Sequence, residues 1–284
     1  MRVAVTGATG RVGFPILRGL MERGHEVVVL GRRPVAGVAH LPWRLDGDLP
    51  DLGGCDALVH AAFAHVPGRY RGGEGDDPEG FRALNRDGTR HLFAHARAQG
   101  VGRVAFLSSR AVYDGYPTGT ALPDGLPARP ESLYGIVKAE VEAWLAEATD
   151  ATFAGISLRA TGVYGAGAPG QPHKWADLFA DRMAGAPPVP RIGTEVHEDD
   201  LAAAVALVLT AETLPGLTFN VSDILLDHRD LLAVHDDLTG VARPLPPRSD
   251  PGGVSAMTCE RLRALGWQPR GPAGLRPAVA ALLA

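Results

Sequence analysis

The stretch "VTGATGRVG" (5–13) constrains this chain more than any other. It sets Gly7, Gly10 and Gly13 at three-residue intervals directly after the apolar run Val3-Ala4-Val5. That run reads as a buried strand, and Phe14, Ile16, Leu17 and Leu20 beyond the turn have helical spacing. Glycine at a strand-to-helix turn lets a ligand approach where a side chain would collide, and the free N–H groups of a helix start favour an anion. The spacing predicts a cradle for a dinucleotide pyrophosphate; the plainer alternative is a tight turn without a ligand.

The pattern beyond residue 23 favours the cradle. Short apolar runs at 2–6, 26–30, 57–61, 103–108 and 153–158 alternate with amphipathic stretches at 11–23, about 78–99 and 132–148. The runs are almost continuously apolar, as strands buried on both faces are. The alternation predicts an α/β fold with a Rossmann-type doubly wound parallel sheet. After residue 160 the pattern loosens into the loop "GAGAPGQPHKW" (165–175), a helix at about 199–211, a short strand at "LTFNV", a helix near 228–238 and a proline-rich segment at 243–251. We therefore expect a dinucleotide-binding core over 1–160, carrying the chemistry, and a small C-terminal substrate lobe over 161–284 interleaved with the last core elements.

The coenzyme can be narrowed. An acidic residue closing the second strand would bind the adenosine ribose and favour NAD. Here "EVVVL" runs into Gly31-Arg32-Arg33, with no carboxylate and two guanidinium groups suited to a 2′-phosphate. NADP is favoured over NAD on this ground, although paired surface arginines are common without a ligand.

Two further patterns bear on chemistry. "YGIVK" (134–138) puts Tyr134 and Lys138 one helical turn apart on one face. A free phenol, with a pKa of about 10, is a poor base at neutral pH, and bringing it to about 7 takes roughly 4 kcal/mol. An adjacent ammonium favours the phenolate. "FLSSRAVYDG" (106–115) leaves the end of an apolar strand, where ligand-facing groups collect in open α/β sheets. Ser109 is placed to hydrogen-bond a substrate oxygen; backbone capping is the structural alternative for both serines.

Taken in order, the glycine turn, the serines and the Tyr–Lys pair resemble the short-chain dehydrogenase/reductase superfamily. The extended branch, with the NAD-dependent epimerases and dehydratases, fits best. "TGATGRVG" is similar to its TGxxGxxG, "GDL" (47–49) to its adenine-contacting acidic position, and "HAAF" (60–63) to the segment lining the coenzyme. "NRDGTRHL" (85–92), "LRATGVYGAG" (158–167), "VHEDDLA" (196–202) and "ERLRALGWQPR" (260–270) resemble its later motifs, the third of these its substrate-lobe helix. The resemblance implies that Tyr134 is the general acid/base, that Lys138 binds the nicotinamide ribose, and that Ser109 orients the substrate oxygen. Ser109 is preferred to Ser108 because Val112-Tyr113 come after it at the family's offset. The implied coenzyme contacts are Gly7, Thr9, Gly10, Arg11, Val12 and Gly13 of the turn, then Asp48 and Leu49, then Ala61, Ala62 and Phe63, and Asn85, with Tyr134 and Lys138.

Departures from the family narrow the substrate. Arg110-Ala111 stands where the dehydratases carry Asp-Glu, which argues against elimination. The span between Arg159 and His197 is short, which argues against a complete nucleotide-sugar. The expected activity is hydride transfer between NAD(P) and a secondary alcohol or ketone of a small polar substrate such as a sugar or sugar acid. An epimerase that retains its coenzyme is the alternative, and a catalytically silent dinucleotide-binding sensor the rival of another class. His65, Arg69, Arg110, His173 and Trp175 are candidate substrate contacts.

Charge and composition bound the rest. A net charge of −4 argues against a general partner for nucleic acid or anionic membrane. Cys55 and Cys259 form no metal or redox pattern, His91/His95 and His197–Asp200 read as helix-surface and helix-start residues, and no metal is expected. No signal peptide or membrane span is evident, so the expected location is cytoplasmic. The family resemblance implies a homodimer paired through the helices at about 78–99 and 132–148, with which the apolar Val137, Val141, Trp144 and Leu145 are compatible.

Overall fold

A computed structural model describes residues 1–66 and 72–284. The first half of the chain runs β1 (Arg2–Thr6), α1 (Gly13–Glu22), β2 (Glu26–Gly31), β3 (Ala39–Pro42), β4 (Ala57–His60), α2 (Pro78–Arg82), a π-helical turn (Ala83–Asp87), α3 (Gly88–Ala98), β5 (Arg103–Ser109) and α4 (Leu133–Ala148). It continues with β6 (Ala154–Ala160), β7 (Gly162–Tyr164), α5 (Ala176–Ala184), β8 (Ile192–His197), α6 (Glu198–Thr210), β9 (Thr218–Val221), β10 (Ile224–Asp227), α7 (His228–Thr239), α8 (Glu260–Ala264) and α9 (Leu275–Leu283).

Seven strands form one sheet in the order β3-β2-β1-β4-β5-β6-β9, and every pairing within it is parallel. This is the doubly wound fold that the alternating runs predict. The central strands need both faces covered, and they have it. Val3, Val5, Ala105 and Leu107 pack towards α1 and α6, while Ala4, Val104 and Phe106 pack towards α3 and α4. A second, three-stranded sheet, β10-β8-β7, is mixed: β8 is antiparallel to β10 and parallel to β7. With α5, α7 and α9 it encloses its own cluster around Tyr164, Trp175, Phe179, Leu231 and Val279.

Two expectations need correction. The helix at "VHEDDLA" is not part of the lobe. Leu201, Ala202, Val205 and Val208 of α6 join the main core, and a Cβ on Gly19 of α1 would sit 2.8 Å from Ala202 Cβ, so α1 and α6 touch almost backbone to backbone. Val137, Val141 and Leu145 are fully buried inside the chain, and Trp144 is partly covered beneath Arg90. Of the four, Trp144 alone keeps exposed surface. The expected helix at 78–99 is present, with a middle turn that is π-helical. Such turns insert an extra residue and re-aim the side chains beyond.

Buried polar groups lock the layers together. Arg159 of β6 meets Glu142 of α4 with Nη2–Oε2 at 2.6 Å, and its Nη1 donates to Tyr113 Oη at 2.5 Å. Tyr113 in turn donates to Asn220 Oδ1 of β9 at 3.0 Å. Every member is buried. No helix among the described residues is long and apolar enough to cross a membrane.

Candidate functional site

Strand order reverses between β1 and β4, so a crevice opens where their C-terminal ends diverge. The glycine turn fills one side of it. Gly7 takes φ +69°, and a Cβ there would lie 2.7 Å from the Ala61 carbonyl carbon and the Ala62 nitrogen. On Gly13 a Cβ would come within 2.2 Å of the Gly7 carbonyl oxygen. These two glycines are needed for the turn to close on itself and on the β4 exit. Gly10 is different: its nearest obstacle is the Gly7 oxygen at 3.2 Å, and its flank is otherwise open among the described residues. The residue preceding α1, Val12, offers no side-chain cap; Phe14 N donates to Gly10 O at 3.0 Å and Pro15 has no N–H, so at the helix start the Gly13 N–H is left for another acceptor. An open glycine between two closed ones, at an uncapped helix start, fits a pyrophosphate.

Around this turn stand the other expected contacts. Thr9, Arg11 and Val12 are partly buried. Arg11 does not reach into the crevice: its Nη2 donates to Pro172 O at 3.0 Å, while Gln171 Nε2 donates to Thr9 O at 2.8 Å. The loop 165–175 is thus tied down on the glycine turn. Arg32 and Arg33 are exposed just past β2, and Asp48 and Leu49 are exposed between β3 and β4. Ala61, Ala62 and Phe63 leave β4 towards the crevice. Asn85 is buried in the π turn with both ends of its amide used: Oδ1 accepts from Ala64 N at 2.7 Å, and Nδ2 donates to Ala64 O and Phe81 O. It holds the β4 exit in place rather than facing a ligand.

Tyr134 and Lys138 share one face of α4, as their spacing requires. The Lys138 ammonium is buried, donates to Leu107 O at 2.6 Å, and lies 4.4 Å from the Phe63 ring centre, 4.6 Å from Phe106 and 5.7 Å from Tyr134. Burial pulls it down to about 7, against the opposing pull of Glu142. Phe63 meets the Tyr134 ring edge-on at 5.1 Å. The β4 exit, the end of β5 and the first turns of α4 therefore converge. Gly135 makes this possible, because a Cβ there would strike Ala111 O at 2.4 Å. Ser132 caps α4, accepting from Gly135 N while donating to Asp114 Oδ2 at 2.5 Å. Ser109 closes β5 beside this turn, and its Oγ accepts from Ala111 N at 3.1 Å. The capping alternative is thus realised, which leaves the hydroxyl proton to donate elsewhere. Ser108 Oγ is buried and has no hydrogen-bond partner among the described residues.

The candidate substrate contacts divide. Arg110 is partly buried, with Nη2 donating to Ser255 O at 2.7 Å. His65 and His173 are partly buried too, and burial, with the Arg11 charge second, holds the His173 imidazole below its usual range. Trp175 needs correction: it is 3% exposed and stacks on Tyr164 at 4.9 Å, inside the lobe core. Arg69, with Tyr70 and Arg71, lies outside the described residues. Among the described residues no three potential ligands gather as a metal site. His197 caps α6 through Asp199 N, and His95 Nε2 lies 2.8 Å from Pro50 O.

Sequence reasoning missed two polar features. Lys174, in the loop before α5, pairs with Glu195 of β8 across the β7 residue Gly162, whose missing side chain leaves room for the contact. His60, buried at the end of β4, bonds Thr6 and Thr89. A histidine closing an otherwise apolar strand was the available signal for the second; nothing in the sequence marks the first.

Comparison with known proteins agrees with this geometry. Residues 3–222 match the model of the NAD dependent epimerase/dehydratase family. A 2-alkyl-3-oxoalkanoate reductase of Stenotrophomonas maltophilia is 30% identical over 184 residues, 59% of this chain and 52% of that one, so the match spans about half the length of the relative. A 3-diazoavenalumate denitrifying reductase of a Streptomyces species is 31% identical over 75% of this chain and 74% of its own. Among solved structures, the UDP-glucose 4-epimerase of Thermus thermophilus in complex with NAD superposes with a TM-score of 0.76 at 28% identity, covering 100% of this chain and 99% of that one. The chain belongs to the NAD-dependent epimerase/dehydratase family, in the extended branch of the short-chain dehydrogenase/reductase superfamily.

Proposed function

We propose that the protein is an NAD(P)-dependent oxidoreductase acting on a secondary alcohol or ketone of a small polar substrate. The observation that carries this reading is the packing of Tyr134 and Lys138 against Phe63 at the β4 exit, with Ser109 closing β5 at the turn that abuts Gly135. Bound there, the coenzyme supplies or accepts the hydride. The protein's own part is proton transfer. As phenolate, Tyr134 takes the hydroxyl proton of the alcohol; as phenol, it returns a proton to the carbonyl oxygen. In its ammonium form Lys138 favours the phenolate from a pocket walled by Phe63 and Phe106, where little water screens it. The Ser109 hydroxyl, its lone pair already engaged by Ala111 N, donates to the substrate oxygen and orients it.

Two reductases among the curated relatives support net redox turnover. Arg32 and Arg33, with no carboxylate between them and β2, support NADP as the preferred coenzyme. A retained-coenzyme epimerase is the second reading, favoured by the whole-length similarity to the Thermus thermophilus epimerase. Both cysteines are free and buried, in keeping with a cytoplasmic enzyme.

The test is a panel of hydroxy and keto compounds with NADPH or NADH, monitored at the nicotinamide absorbance. Net change supports the oxidoreductase, and product without net change supports the epimerase. In either case Tyr134→Phe should cut kcat by about 10²-fold or more, the usual worth of a general acid/base. Unchanged turnover would reject Tyr134 in this role.

A further inference from the structure

β4 ends on His60, which is 1% exposed and whose two ring nitrogens each face a hydroxyl. Nδ1 lies 2.9 Å from Thr6 Oγ1, and Nε2 lies 3.1 Å from Thr89 Oγ1. The same Thr6 oxygen accepts from Ala61 N and from Ala62 N, both at 3.1 Å. A hydroxyl has two lone pairs and one proton. With both lone pairs taken by backbone N–H groups, Thr6 has only its proton left for the imidazole. Nδ1 must then accept, so the ring proton sits on Nε2 and is donated to Thr89. The relay has one direction, from Thr6 through His60 to Thr89, and it works only for a neutral ring, since a second ring proton would set donor against donor.

The surroundings enforce this state. Phe93 meets the ring edge-on at 5.3 Å, Trp43 edge-on at 6.0 Å, and Phe106 lies near-parallel at 6.1 Å. Burial, with the Lys138 charge second, pulls the imidazole down to about 3.

The relay also has a location that matters. Thr6 immediately precedes Gly7, and the Ala61–Ala62 backbone it binds is the surface a Cβ on Gly7 would strike. Thr89 belongs to α3. One ring therefore sets the spacing among the glycine turn, the β4 exit and the helix behind them. We propose that His60 is a positioning residue for the coenzyme cleft: as a neutral Nε2–H imidazole it turns the Thr6 hydroxyl onto the Ala61–Ala62 backbone and so holds the β4 exit at the distance a dinucleotide needs. This rests on the coenzyme-binding reading above, but the direction of the hydrogen bonds does not.

The experiment uses the full chain. Binding of NADPH and NADH is titrated by nicotinamide fluorescence for the wild type, His60→Phe, His60→Gln and Thr89→Val, with melting temperatures taken alongside. His60→Phe keeps an aromatic filling and deletes both polar ends, and should weaken coenzyme binding by about tenfold, the worth of one lost buried hydrogen bond. His60→Gln, which offers an acceptor and a donor on one amide, should regain most of that loss. Thr89→Val should weaken binding by a few-fold. A folded His60→Phe that binds as tightly as the wild type overturns the proposal, and so does a His60→Gln no better than Phe at equal stability. Should His60→Phe fail to fold, Thr89→Val and the ¹⁵N spectrum of histidine-labelled wild type still decide: a proton on Nδ1 refutes the relay. A wild type that binds neither coenzyme refutes the coenzyme-binding reading instead, and the spectrum tells the two failures apart.

Discussion

Lys138→Met should make the coenzyme-free protein more stable below neutral pH. An ordinary lysine titrates near 10.4 and the buried Lys138 near 7, which corresponds to about 5 kcal/mol against the ammonium at pH 6. Between those two values the unfolded chain binds the extra proton and the native state does not, so this group's contribution rises with pH. By pH 8 the folded amine is largely neutral already and the burden falls to about 3 kcal/mol. Methionine keeps the stem that packs on Phe63 and Phe106. Relative to the neutral amine it forfeits the bond to Leu107 O, about 1 kcal/mol, since the attraction of the rings belongs to the ammonium and is already part of its titration. The variant should therefore gain about 4 kcal/mol at pH 6 and about 2 kcal/mol at pH 8. Urea unfolding of both proteins, monitored by far-UV circular dichroism at pH 6, 7 and 8 without coenzyme, measures the difference directly. Catalytic activity should be lost at every pH. Stability curves that run parallel for wild type and variant across this range would show that Lys138 is not desolvated, and the case for its depressed pKa would go with it.

Two further outcomes are expected. Gly13→Ala places a methyl 2.2 Å from the Gly7 carbonyl oxygen, so the turn must open; binding of either coenzyme should vanish, and stability should fall by about 2–4 kcal/mol. Arg32→Ser with Arg33→Ser should weaken NADPH binding by about tenfold or more and leave NADH within about twofold, because only the former carries the extra phosphate; equal losses for both would remove the NADP preference.

The fold was legible wherever a strand is buried on both faces. β1, β2, β4, β5 and β6 are runs such as "RVAVT" and "ALVH" whose apolar character does not depend on distant context. The strands that escaped are short or one-sided. β3 reads "AHLP", with a histidine and a closing proline at a sheet edge. β7 has three residues, and β8, "IGTEVH", buries a glutamate that the pairing with Lys174 helps make tolerable. α6 shows why helix placement is harder than helix existence. Its apolar face is plain, but which sheet it covers is set by the return of β9 into the main sheet. The candidate site was legible in its glycines and in the Tyr–Lys spacing, because local geometry dictates both. Trp175 misled because a large aromatic near a loop looks alike whether it lines a pocket or fills a core. The helix around Trp144 misled for the same reason: Val137, Val141 and Leu145 give an apolar stripe, and the stripe faces inward.

Several buried polar groups lie on one side of the main sheet, and their arrangement has a physical logic. Lys138, His60 and the Glu142–Arg159 pair all occupy the layer between β4–β6 and the helices α3 and α4, where an apolar filling would pack as well and cost less desolvation. Each is tied to a different element: Lys138 to β5 through Leu107 O, His60 to β1 and α3, and Arg159 to α4 and the turn after β5. Hydrogen bonds of this kind have direction, whereas apolar contacts slide. Gly7 and Gly135 sit at backbone approaches that tolerate no side chain, so a shift of a few tenths of an ångström between elements would matter at both places. A directional lattice in that layer fixes the elements that carry Tyr134, Ser109 and the glycine turn relative to one another, at a cost in stability that an enzyme core without a cleft to hold would not need to bear.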